Sequence, residues 1–126
     1  MRPTFQLAQR SDLDTVMQDM EAFHYFDHTE PFDYVSARTA ITAIIDNRDI
    51  GNVWLIYKGE EVAGYVVMTI SFRLECRGRI AFVDELYIRP EARRQGIGRA
   101  TLAFLTTFCQ DSGICQLQLE AEKENS

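Results

Sequence analysis

No apolar run in this 126-residue sequence approaches the length of a membrane-spanning helix; the longest, Val62–Phe72, is interrupted by Gly64, Thr69 and Ser71. A spanning segment needs about 18 consecutive apolar residues, so none is expected and the membrane is not read as a partner. The opening MRPTFQLAQ lacks the continuous apolar core of a signal peptide. Cysteine is scarce: Cys76, Cys109 and Cys115 form an odd set with no CxxC pair, which removes the common zinc frameworks. The three are expected to be reduced thiols of a cytoplasmic protein, with Cys109 and Cys115 as small buried apolar residues. There is no internal repeat, low-complexity tract or linker, so residues 1–126 read as one domain. Basic charge is in short supply too. The net charge is −6, and without a general basic face nucleic acid is not an expected partner.

The positive charge that does exist is concentrated. Arg89 to Arg99 holds four arginines against one glutamate, a local +3, which leaves −9 for the rest of the chain. Such a field suits a small anion at one place and a cationic partner elsewhere.

Periodicity orders the remainder. Thr4–Gln9 alternates as a first strand. Ser11 is placed to cap a helix carrying Leu13, Val16, Met17, Met20 and Phe23. That helix is expected to end near HYFDHTEPFD, and a second helix carries Val35 through Ile45. Strands follow at Val53–Tyr57, Val62–Leu74 and Arg79–Ile88, with turns at Gly59 and Gly78. Gly96–Gln110 reads as a helix, and Cys115–Ala121 alternates as a last strand. The order β-α-α-β-β-β-α-β predicts a mixed α/β sheet, mostly antiparallel, flanked by helices. Its one parallel pair joins Arg79–Ile88 to Cys115–Ala121 across the crossover helix.

The arginines fall in RRQGIGRA, Arg93–Ala100, between a strand and a helix start. A helix start presents unpaired N–H groups and partial positive charge. Gly96 and Gly98 let a phosphate approach the backbone, and Arg93, Arg94 and Arg99 can add charge. The loop is not GxxxxGK[ST], and it misses the dinucleotide fingerprint at Thr101. A glycine-softened turn with solvated arginines is the plain alternative. Upstream, Asp84 and Glu85 interrupt the apolar strand RIAFVDELYI. Neighbouring strand residues face opposite ways unless a bulge intervenes, and a carboxylate held in apolar surroundings suits a general base. A solvated pair, or one bridged to Arg79 or Arg73, is the alternative. His24 and His28, with Glu21 and Asp27, lack HExxH spacing, and no metal is expected.

Taken together, VDELYIRPEARRQGIGRATLAFL resembles the acetyl-CoA-binding motif of the GNAT superfamily of N-acetyltransferases. Its [RQ]xxGx[GA] signature is met by Arg93, Gly96 and Gly98. GYVVM around Gly64 and the rest of the chain fit the family's order of elements, so the resemblance implies the acyl-CoA N-acyltransferase fold with a splayed parallel strand pair. It also implies that the backbone around Arg93, Arg94, Gln95, Gly96, Ile97, Gly98 and Arg99 grips the pyrophosphate of acetyl-CoA, the co-substrate. Leu86, Tyr87 and Ile88 would pair with the pantetheine arm, and Asn125 matches the asparagine that follows the last strand in the family. Glu85, then Asp84, is the expected base that deprotonates a small-molecule amine. Tyr25, Phe26 and His28, between the first two helices, match the acceptor-lining region.

Where the family continues with a helix and hairpin, this sequence stops at Ser126. The resemblance therefore implies a C-terminally short domain that lacks the tyrosine which often protonates the departing thiolate. It also implies a sheet edge that a second copy, in a homodimer, would cover. An amine N-acetyltransferase is the expected activity, with a catalytically silent acyl-CoA-binding module as the alternative and a nucleotide-binding domain as a third reading. Polyamines, aminoglycosides, peptide N-termini and amino acids all remain compatible acceptors, small cationic amines being favoured by the acidic remainder.

Overall fold

The structure, a computed structural model, describes residues 2–119. Five strands, β1 Pro3–Leu7, β2 Gly51–Lys58, β3 Glu61–Arg73, β4 Gly78–Ile88 and β5 Gln116–Leu119, form one sheet in sequence order. The first three pairings are antiparallel. The fourth is parallel, with Ile80–Val83 of β4 opposite Gln116–Leu119. This is the mixed sheet the sequence predicts. Helices α1 (Leu13–Asp27) and α2 (Tyr34–Asp46) cover one face, and α3 (Ile97–Asp111) covers the other as the crossover from β4 to β5. Among the described residues, no helix is long and apolar enough to cross a membrane.

Strand alternation explains the two cores. On β2, Val53 and Leu55 join Leu13, Val16, Met17 and Ile41 beneath α1 and α2. Trp54 and Ile56 turn the other way and join Ile97, Leu105 and Cys109 beneath α3. A strand buried on both faces reads as a continuous apolar run, which is why VWLIY shows no polar alternation.

Three local expectations are corrected. Ser11 does not cap α1. It lies inside a 3-10 turn, Arg10–Asp12, and Asp12 occupies the cap position, its carboxylate accepting from the Gln9 amide at 2.9 Å. Cys115 is exposed rather than buried. The cysteines are also not all reduced, because Cys76 and Cys115 are joined in a disulfide while Cys109 is free and buried. The parallel pairing causes this proximity: the Cys115 amide donates to the Arg79 carbonyl at 2.9 Å, which sets the start of β5 beside the β3–β4 turn. Residues 39 apart in sequence give no such hint by spacing. Asn125 and the end of the Cys115–Ala121 strand lie outside the described residues.

The register of β3 on β4 shifts at one place. Val67 pairs with Glu85 and Met68 with Val83, so Asp84 is an extra, unpaired residue in a β-bulge. The bulge reverses which residues face which helix layer. Ala81 and Val83 pack under α3 before it, and Leu86 and Ile88 do so after it. Glu85 and Tyr87 are thereby turned to the α1/α2 face, beside Tyr65.

Further along the same pair, β3 and β4 come close at Gly64. A Cβ there would stand 1.9 Å from the Tyr87 carbonyl oxygen. Gly64→Ala must push the two central strands apart, and a loss of about 1–3 kcal/mol is expected, the usual cost of overpacking. Urea unfolding followed by circular dichroism measures it.

Candidate functional site

The site is built where β4 ends. The Arg89 amide donates to the Ala63 carbonyl at 2.7 Å, and a 3-10 turn, Pro90–Ala92, swings the chain out of the sheet. Proline's fixed φ and missing N–H suit the first position of such a turn. The backbone then enters left-handed conformations at Arg94 (φ 64°) and Gly96 (φ 78°) before α3 begins at Ile97. At Gly96 a Cβ would meet no atom within 4 Å, so it is the positive φ that favours glycine there.

The outcome is a run of free donors. Among the described residues, the amides of Arg94 through Arg99 donate to no protein acceptor; the next amide, Ala100, closes the first helical bond to the Gly96 carbonyl at 3.0 Å. The helix dipole adds positive potential at the same spot, and Arg94 and Arg99 are exposed beside it. This arrangement can hold a phosphate or pyrophosphate by backbone contacts.

Arg93 departs from the expected phosphate arm. Its Nε donates to the Ile88 carbonyl at 2.8 Å, and its guanidinium lies 5.0 Å from the Phe26 ring centre and 5.6 Å from that of Tyr87. The charge is spent on fixing the elbow against α1 and β4 through a carbonyl and two aromatic faces. Gln95 is engaged by the Lys58 ammonium. Among the described residues β4 has no partner on the β5 side beyond Val83, and Leu86, Tyr87 and Ile88 lie in this stretch.

Glu85 faces inward from this segment. It is half-buried and accepts a 2.7 Å hydrogen bond from the Tyr65 hydroxyl through Oε1. Burial pushes its pKa up from the ordinary carboxylate range; the Tyr65 bond opposes this, and nearby Asp84 adds to the rise. Asp84 itself is exposed on the bulge, so the structure separates the two candidate bases by environment. The buried Tyr65 hydroxyl is in turn held protonated well above its usual range, by burial and then by the Glu85 charge.

A second carboxylate was not anticipated. Asp19 of α1 is 4% exposed and receives the Arg89 Nε at 3.0 and 3.1 Å. Burial raises its pKa while Arg89 opposes the rise. Its one sequence signal is a charge set among Val16, Met20 and Phe23 on an otherwise apolar stripe. Of the acceptor candidates, Phe26 is brought to the elbow through Arg93. Tyr25 instead accepts the Phe32 amide at 2.9 Å, and His28 stacks on His24 at the exposed end of α1. His24 Nε2 lies 2.8 Å from the Glu30 carbonyl, so this pair is occupied with ending the helix. Among the described residues, no three His, Cys, Asp or Glu side chains are grouped to hold a metal ion.

A raised Glu85 pKa in the folded state means that the native protein holds this proton more tightly than the unfolded chain. Stability is therefore lost as pH rises from the ordinary glutamate range through the folded-state pKa. Glu85→Gln is expected to raise the melting temperature at pH 8 and to lose that advantage near pH 4. Differential scanning calorimetry at the two values measures both differences.

Comparisons with known proteins bear on the family and the fold. The family model described as the acetyltransferase (GNAT) family matches residues 13–126. No curated protein sequence matches the chain. An integron cassette protein from the mobile metagenome of Cole Harbour salt marsh is 32% identical, with 92% of this chain and 76% of that one covered and a TM-score of 0.84. A possible acetyltransferase from Clostridium difficile 630 is 20% identical, covering 99% and 83%, with a TM-score of 0.85. A predicted acetyltransferase from Clostridium acetobutylicum, crystallised with acetyl-CoA, is 16% identical, covering 98% and 83%, with a TM-score of 0.82.

Proposed function

The chain belongs to the acetyltransferase (GNAT) family, and on that premise we propose that it transfers an acetyl group from acetyl-CoA to a primary amine by direct attack. The observation that carries the reading is the unbroken run of free amides from Arg94 to Arg99 at the mouth of α3. A CoA thioester has a pyrophosphate to fill that run and a long arm to lie along Leu86, Tyr87 and Ile88, on the side of β4 that among the described residues has no partner beyond Val83. The Arg89 amide donates to the Ala63 carbonyl and the Tyr87 carbonyl lies against Gly64, so both face β3. Leu86 and Ile88 turn theirs the other way, and with the Ile88 carbonyl taken by Arg93 the Ile88 amide and the Leu86 groups are left for the arm.

Glu85 is the base. A lysine-like amine has a reference pKa of ~10.4 and is protonated near neutrality; it must lose a proton before its nitrogen can bond to the thioester carbon. Tyr65 holds Oε1, so Oε2 is free to take that proton, directly or through water. Collapse of the tetrahedral species breaks the carbon–sulfur bond and releases a thiolate. The second proton on the attacking nitrogen passes to that thiolate through water, since the parent thiol has a cysteine-like pKa of ~8.5, and Glu85 returns its own proton to solvent, which completes the cycle. The acidic remainder of the chain favours a small cationic amine as acceptor.

Titration calorimetry is expected to register heat with acetyl-CoA and a loss of at least about tenfold in affinity, ~1.4 kcal/mol, for Gly96→Asp, which sets a negative charge among the free amides. No heat with the parent chain sinks the reading. In a free-thiol release assay with a panel of amines, Glu85→Gln is expected to lower kcat by ~10²–10⁴-fold and to leave the KM for acetyl-CoA unchanged. Binding of acetyl-CoA without turnover of any amine would instead favour a silent acyl-CoA module. Tyr65→Phe removes the bond that holds the Glu85 pKa down. The acid limb of the kcat/KM profile is expected to move to higher pH, since the base is then ionised only at higher pH.

A further inference from the structure

A second cavity, of about 290 Å³, lies under the α3 face at the opposite end of the sheet, where β4 begins rather than where it ends. Its floor includes Asn52 and Trp54 of β2, Phe108 of α3 forms a wall, and Arg48, Asp49 and Arg79 stand around it. Three observations single it out. Asn52 is only 7% exposed, and among the described residues its carboxamide makes no hydrogen bond. An unpaired buried amide is a net cost to the fold, and the following residues on the same strand face, Trp54 and Ile56, are apolar. Two guanidiniums stand against one carboxylate, leaving a local +1, and among the described residues Arg48 has no acidic partner. The Trp54 and Phe108 rings, edge-on at 5.0 Å, give the cavity an aromatic surface.

From these we infer that the cavity binds a small hydrophobic carboxylate, its anion shared by Arg48, Arg79 and the Asn52 amide and its apolar body against Trp54 and Phe108. Ligand pockets run from ~300 Å³ upward, so the volume selects a small ligand. One positive charge in excess selects a monoanion. Arg79 gives one Nη to the Ser112 carbonyl at 2.5 Å, which fixes its guanidinium at the cavity's edge and leaves further N–H groups to donate. A trapped water would also satisfy Asn52, and a neutral ligand of the same shape distinguishes that case.

Trp54 is the only tryptophan of the chain and lines this cavity, so its fluorescence reports on it. Titration of the full chain with benzoate is expected to give a saturable change, at least tenfold weaker with benzamide. Arg48→Gln, at an exposed position, is expected to weaken benzoate at least tenfold. Asn52→Leu is expected to abolish the response without lowering the melting temperature. Gly96→Asp, at the far end of the sheet, is expected to leave the response intact, which separates this site from the elbow. Absence of a saturable change with benzoate, an equal response to benzamide, or an undiminished response in Arg48→Gln overturns the inference.

Discussion

One residue too many in β4 sets the geometry of everything near the elbow. Without the bulge at Asp84, strict alternation would carry Glu85 to the α3 face with Val83 and bring Leu86 and Ile88 beneath α1 and α2. With it, the strand keeps an apolar side against α3 from Ala81 to Ile88 while sending Glu85 and Tyr87 to the other layer. The same residue count brings the Tyr65 hydroxyl against Glu85 and leaves Asp84 in solvent. Two adjacent carboxylates of like chemistry thus acquire different proton affinities from backbone geometry alone.

Arginine serves three separate ends within eleven residues of this chain. Arg89 neutralises a buried carboxylate of α1, Arg93 braces the turn between two rings, and Arg94 and Arg99 stand exposed at the helix mouth. Guanidinium fits each setting because it keeps its charge, stacks on aromatic faces and donates in several directions. A lysine at 93 has no planar group to share between a carbonyl and the rings of Phe26 and Tyr87.

The order of elements, the parallel pair and the glycine-lined elbow were legible in the sequence because they rest on local signals: apolar period, turn glycines, and the proline after β4. Glu85 was legible as a charge in an apolar strand. What stayed hidden depended on register and on distant contacts. The bulge was visible only as an option, since nothing in VDEL says which residue drops out of pairing. Arg93 looked like a phosphate arm because its spacing fits one, while its actual partners, Ile88, Phe26 and Tyr87, are set by how α1 crosses the end of β4. Asp19 and Arg89 are 70 positions apart, and a long separation leaves no periodic trace. The capping expectation at Ser11 failed by one residue, because a short 3-10 turn took up the cap signals before the α-helix began.

The bond between Cys76 and Cys115 encloses a covalent ring, and β4, the elbow and α3 all lie inside it. The donors at the helix mouth and the candidate base are therefore linked twice through the main chain, once at each end of the ring. A protease that nicked the exposed backbone near Arg94 would open the ring without dividing the molecule. Its two pieces would migrate as one species until a reductant released them.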